Sequence, residues 1–125
     1  MTVHIRFETT KDIKNSVSDL VRLIGQDGNG RLKKGSNEVT KAAERGTAKM
    51  VVMAENVNPG ELLAHIPLIS KEKNIPFIYV EDQGFLAGDA GMGDNAKTAA
   101  IALMEYSKPA EEAFKAVLEE CKKLN

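Results

Sequence analysis

Gly35-Ser36-Asn37-Glu38-Val39-Thr40-Lys41-Ala42-Ala43-Glu44-Arg45-Gly46-Thr47-Ala48-Lys49-Met50-Val51-Val52-Met53-Ala54 carries two different periods in one stretch. Val39, Ala42, Ala43 and Gly46 recur at i, i+3, i+4 and i+7, the spacing of a helix with one face on a core. Asn37, Lys41 and Arg45 recur at steps of four along another stripe of the same helix. The helix stops near Gly46, and Lys49 to Ala54 then reads as an apolar run of strand length, buried on both faces. A helix that feeds such a strand indicates helices layered on both sides of a sheet.

The flanking sequence extends this pattern. Upstream, Thr10 caps a helix whose Ile13, Val17, Leu20, Val21 and Ile24 fall at helical spacing; Gly25 ends it, and residues 26–30 form a mobile loop. Downstream, Asn58 caps a helix with Pro59 at its first position. Pro67 should break or kink that helix, leaving two short helical pieces before Asn74. Pro76 to Val80 is a second buried strand, and the glycine-punctuated stretch 84–93 holds at most a short helix. Thr98 to Glu105 is a third strand. Ser107 and Pro109 open a last helix with Ala110, Ala113, Phe114, Val117, Leu118 and Cys121 on its apolar face. Alternating strands and helices predict an α/β fold: one three-layer α/β/α sandwich around a small mixed, mostly parallel sheet, with residues 1–125 as a single domain.

The first helical stretch also carries chemistry. Ser36 is a suitable N-cap, and Arg31-Leu32-Lys33-Lys34-Gly35 brings cations to a helix N-terminus whose free N–H groups already favour anions. A phosphate backbone suits that head. Glu38 does not fit a purely phosphate-binding patch, because its charge repels phosphate. A carboxylate accepts hydrogen bonds from base-edge N–H groups and an amide both donates and accepts, so Asn37, Glu38 and Lys41 together can address bases. The plainer alternative is a solvated helix face, with Lys41 and Arg45 pairing with Glu38 or Glu44 for a few tenths of a kcal/mol. The helix start at Ser36 and the loops after Ala54 and Val80 are expected to gather beyond one set of strand ends.

Charge distribution sharpens that reading. The net charge of −1 hides a split: residues 1–50 hold 10 Lys or Arg and 6 Asp or Glu, a balance of +4, and residues 51–125 hold 7 and 12, a balance of −5. Residues 31–49 alone hold 6 basic and 2 acidic residues. A basic patch on an otherwise acidic chain favours one docking orientation over general coating of nucleic acid, unless the split is a chance fluctuation of surface charge.

Other classes of function find little support. At 125 residues the chain buries roughly two-thirds of its unfolded surface and needs no staple. One cysteine makes no internal disulfide, no apolar run approaches a membrane span, and the N-terminus does not resemble a signal peptide, so a cytoplasmic setting is expected. His4, His65 and Cys121 offer no metal spacing and no nucleophile dyad. His65 is expected to be a packed histidine bonded to the backbone. Gly84, Gly88, Gly91 and Gly93 match neither nucleotide-loop pattern. Met50, Met53 and Met92 read as core filling. Six aromatics and no Trp supply few stacking platforms, which favours a folded RNA over a single strand.

Five blocks in register resemble a family of small ribosomal and ribonucleoprotein proteins that bind RNA kink-turns. They are Gly35 to Lys41, Glu44-Arg45-Gly46, Val51 to Pro59, His65-Ile66-Pro67-Leu68 and Lys73 to Val80. The resemblance is in particular to the archaeal large-subunit ribosomal member, which Val3-His4-Ile5-Arg6-Phe7 also resembles, less specifically. The resemblance implies that Asn37, Glu38 and Lys41 contact tandem sheared G·A pairs, with Arg45 in the family's supporting basic position; the cationic approach to the helix adds Lys33, Lys34 and Gly35 to the candidate RNA-binding residues. The resemblance also implies that Asn58, Leu62, Gln83, Leu86, Ala87 and Met92 surround a flipped-out nucleotide. Here the chain departs from the family: many relatives carry a Lys near Gln83 and a basic or apolar residue near Asp94 and Lys97, whereas residues 81–97 hold the acids Glu81, Asp82, Asp89 and Asp94.

The function so implied is non-enzymatic. The protein would stabilise kink-turns in ribosomal RNA and in box C/D and H/ACA guide RNAs, with tRNA processing among its contexts, and other ribonucleoprotein proteins would assemble on the shaped RNA. No cofactor, metal or membrane is expected, and a monomer is expected off RNA. The alternative is a protein-interaction module of the same fold with weak or no RNA affinity; a small nucleotide-using enzyme is a distant third.

Overall fold

The structure, a computed structural model, describes residues 4–93 and 95–124. Helix α1 spans Lys11–Gly25, and Thr10 caps it by accepting from the amide of Ile13; Val17, Leu20, Val21 and Ile24 are buried. Next come β1 (Gly30–Lys34), α2 (Ser36–Glu44), β2 (Met50–Ala54), a 3-10 turn (Gly60–Leu62), α3 (His65–Glu72), β3 (Phe77–Val80), α4 (Gln83–Asp89), β4 (Ala100–Tyr106) and α5 (Lys108–Leu124). Every residue of β2 and β3 is buried, as their unbroken apolar runs require. On α5 the apolar stripe buries Ala110, Phe114, Val117 and Cys121.

The sheet order is β1-β4-β2-β3. Helix α1 contacts both α4 and α5, and α2 contacts α3, which gives helix layers on both sides of the sheet. The α/β class and the mixed sheet agree with expectation. β1, β2 and β3 point the same way and β4 opposes them, so three of the four strands share a direction although β2–β3 is the one parallel pairing, β4 being antiparallel to both β1 and β2. A parallel return needs a crossover that carries the chain back along the sheet. The seven-residue α4 leaves it at the margin where β3 ends, and β4 enters there.

Four local expectations change. The cationic approach to α2, for which no strand was expected, is an edge strand over residues 30–34. Gly35, not Ser36, is the N-cap of α2, with φ 95° and ψ 147°, and no side chain caps this end. Gly46 is exposed, beyond the end of α2, while Val39, Ala42 and Ala43 are buried. The helix expected at Asn58 is a 3-10 turn capped by Pro59. Pro67 then lies in the first turn of α3, where the amide of a helical residue has no intrahelical partner, so it breaks nothing.

The segment before α1 crosses the sheet and is tied down at Tyr79. The phenol donates to the carbonyl of His4 over 2.6 Å and accepts from the amide of Arg6 over 3.0 Å. Phe7 stacks on Phe77 with ring centroids 5.5 Å apart. Nε2–H of His4 donates to the carbonyl of Ala54 over 2.8 Å. Burial pushes the Tyr79 phenol up to about 12.

Candidate nucleic-acid interface

Strand register gathers the expected site at one margin of the sheet. Lys34, the last residue of β1, pairs with Ile101; Ala54, the last of β2, pairs with Val80, the last of β3; Ala100 begins β4 opposite Met53. The chain therefore enters α2, the 3-10 turn and α4 from the same end. Hydrogen bonds join them. The amide of Gly35 donates to the carbonyl of Ala100, as does the hydroxyl of Thr98, both over 2.9 Å. The amide of Thr98 donates to the carbonyl of Gln83 over 3.1 Å.

The two helix starts on this margin differ in their caps. At α4 the carboxylate of Asp82 accepts from the amides of Gly84 and Phe85 at 2.7 and 3.0 Å, which closes the N-terminus. At α2 there is no capping side chain, so the first-turn amides remain open to an anion. Asn37 and Glu38 are exposed in the first turn at that opening, and Lys41 and Arg45 are exposed further along, Arg45 as the residue that caps the other end of α2. Glu38, Lys41 and Arg45 line one polar cleft of about 190 Å³, and Lys33 of β1 completes it. Lys41 pairs with Glu38 at 3.7 Å, with their side chains 60 and 48% exposed. A contact that wet contributes little and is readily exchanged for a ligand's groups.

Lys34 does not join the cleft. Successive strand residues face opposite sides, and Lys34 lies with Gly25, Leu32 and Ala90 around a separate hollow. The backbone is close there, because a Cβ on Gly25 would meet the backbone of Ala90 at 2.6 Å.

The second half of the expected site divides. Asn58 and Leu62 are exposed, Leu62 by 58%, while Gln83 and Met92 are half-buried. Leu86 and Ala87 lie in the core, 1 and 0% exposed, on the inward face of α4. Direct contact of these two side chains with a base is therefore not available in this structure. Their part here is to seat α4. The sequence allowed a short helix here, and only its register in the structure reveals the inward face.

The acids are also sorted. Asp82 is occupied by its cap and by Asn56, whose Nδ2 donates to it over 2.8 Å. Asp89 pairs with Arg22 of α1 at 3.0 Å. Glu81 is exposed, in a cleft with Lys11 and Lys14. Asp94 lies outside the described residues.

Several positioning residues escaped the sequence reading. Asn56 joins two segments: its Oδ1 accepts from the amide of Gln83 over 2.9 Å while its amide holds Asp82. An Asp directly before a helix was the available signal. His65 is exposed, and its partner is a side chain, correcting the expectation of a packed histidine bonded to backbone. Thr40 Oγ1 donates its proton to the carbonyl of Ser36 over 2.7 Å, so at 2.8 Å it accepts from Nε2–H of His65. This chain joins α3 to the first turn of α2. No sequence signal announces it, because the two residues are distant along the chain. Met50 and Met53 are core residues as expected, and Met92 only partly so. Among the described residues, no group of three or more His, Cys, Asp or Glu could hold a metal ion.

A sequence model of the ribosomal protein L7Ae/L30e/S12e/Gadd45 family matches residues 21–109. Among solved structures, the 15.5kD RNA binding protein of Giardia lamblia superposes with a TM-score of 0.84, covering 98% of this chain and 98% of its own, at 20% sequence identity. At that identity the likeness speaks for the fold.

Proposed function

From a chain that belongs to the ribosomal protein L7Ae/L30e/S12e/Gadd45 family, we propose an RNA-binding protein that recognises kink-turns. One observation carries this reading: the uncapped start of α2 carries exposed Asn37, Glu38 and Lys41 on a single rigid helix. The open amides and Lys33 suit phosphates, whereas Asn37 and Glu38 suit base edges. On a tandem of sheared G·A pairs, Glu38 accepts from base N–H groups, Asn37 donates and accepts, and Lys41 and Arg45 offset the phosphate charge. Asn58, Leu62, Gln83 and Met92 form the rest of the contact surface, around an extruded nucleotide. Leu86 and Ala87 support it from beneath.

Binding shifts the RNA toward its bent form only as far as the protein prefers that form. Large-subunit ribosomal RNA of the archaeal type and box C/D and H/ACA guide RNAs are the proposed targets, with tRNA processing as a further context. The chain would act as one domain in the cytoplasm, monomeric off RNA, with other ribonucleoprotein proteins assembling on the shaped RNA. A gel shift tests this. A kink-turn should bind much better than the same RNA with Watson-Crick pairs in place of its G·A pairs, and equal binding contradicts the proposal.

A further inference from the structure

Two adjoining cavities of about 310 and 300 Å³ open near the start of β3, between the last turns of α3 and α5 and the segment before α1. They share Phe77 and Lys71, so they form one groove. The nucleic-acid interface lies beyond the other end of β3, after Val80. Aliphatic and aromatic carbon from Ile75, Phe77, Leu118 and Leu124 lines the groove. Leu68 stands on its margin 58% exposed. The charges that line the groove are of one sign, Arg6, Lys71 and Lys122, with no Asp or Glu; Lys122 also meets Glu119 of its own helix at 3.9 Å, an exposed and readily exchanged contact. That sign is opposite to the surrounding sequence, since residues 51–125 carry five more acids than bases.

We propose that this groove docks an acidic, apolar peptide segment of a partner protein. Large side chains of the segment fill the two hollows, and flanking carboxylates meet Arg6, Lys71 and Lys122. An extended or helical segment suits a groove of this shape, as in peptide recognition generally. RNA suits it less well. Phe77 is only 3% exposed and stacks on Phe7, so it offers no bare face for a base, and the same stacking covers one face of the half-buried Phe7. This docking does not rest on the kink-turn reading, because the two surfaces share no residue.

The test pans a displayed library of random linear peptides against the full chain and, in parallel, against the Lys71→Glu/Lys122→Glu variant. The expected result is enrichment of peptides that combine Asp or Glu with Leu, Ile or Phe on the original chain, with that enrichment lost on the variant. Leu68→Ser, at an exposed position that leaves folding intact, should weaken the selected peptides too. Amide shifts on adding a selected peptide should centre on Phe77 and Leu118. Enrichment equal on both proteins, basic selected peptides or no enrichment would overturn the proposal. So would an oligouridylate that moves the same amides, which would make the groove an RNA site. Self-association abolished by Leu68→Ser would assign it to a second copy of the chain and overturn it likewise.

Discussion

The backbone amide of Gly35 donates to the carbonyl of Ala100 over 2.9 Å, fixing the start of α2 to the start of β4. The hydroxyl of Thr98 donates to the same carbonyl, and the amide of Thr98 reaches Gln83. The open helix start and the capped one are thus held to a common short segment. A change at either end of this chain should be felt at the other.

Gly35 is where that coupling is most exposed to mutation. Its φ of 95° suits glycine, and no atom lies within 4 Å of where a Cβ would stand, so Gly35→Ala brings strain without collision. The expected cost is about 1–3 kcal/mol of stability, read from urea denaturation, with a matching loss of RNA affinity. Stability unchanged by Gly35→Ala would show that the turn relaxes freely.

The two acids at the start of α4 should behave differently. Asp82→Ala removes the cap and should lower stability by about 1 kcal/mol. Glu81 is exposed in its cleft, so Glu81→Gln should leave the unfolding midpoint in place and tighten RNA binding at low salt. Equal effects of the two substitutions on stability would refute this division of labour.

His65 and Thr40 brace α2 against α3 through one hydrogen bond. A double-mutant cycle with Thr40→Val and His65→Leu should return a coupling of about 0.5–1.5 kcal/mol in stability. Additive effects would mean that the contact contributes nothing.

Alkaline pH should weaken the fold. Burial pushes the Tyr79 phenol from near 10 to about 12, and burial together with the charge of Glu120 pushes the Cys121 thiol from near 9 to about 12. Both groups are neutral when protonated, so the folded chain keeps protons that the unfolded chain has released. Their contribution is complete below about pH 9 and is lost as pH rises towards about 12. Urea midpoints should fall across that window, and Tyr79→Phe should reduce the slope while lowering stability at pH 7 by orphaning the carbonyl of His4. A flat profile would contradict the burial argument.

Much of the architecture was legible because it was written in apolar periodicity. α1, α2, β2, β3, β4 and α5 each carry a stripe or run that only one element accommodates. β1 was missed because Arg31, Lys33 and Lys34 sit on an exposed edge strand, whose cross-strand bonds to β4 leave no apolar signature. Which strand opposes the others was not legible, because the reversal of β4 depends on which margin the chain reaches after α4, a property of three dimensions. At the candidate site, the exposed stripe of Asn37, Lys41 and Arg45 followed from helical spacing. The inward turn of Leu86 and Ala87 did not, since glycines on both sides left the register of a short helix open. The bridge from Thr40 to His65 and the clamp of Asn56 on Asp82 join residues far apart along the chain, where local pattern carries no information.

Glu38 is the residue on which the account turns, because a carboxylate has no place on a surface that only attracts phosphate. The most direct measurement is the affinity of the original chain and of Glu38→Ala for a kink-turn RNA and for its Watson-Crick-paired counterpart. The original chain should prefer the kink-turn, and Glu38→Ala should lose about 1–3 kcal/mol of that preference. Tighter binding of both RNAs by Glu38→Ala, with the preference unchanged, would reduce Glu38 to a repulsive charge and contradict the account.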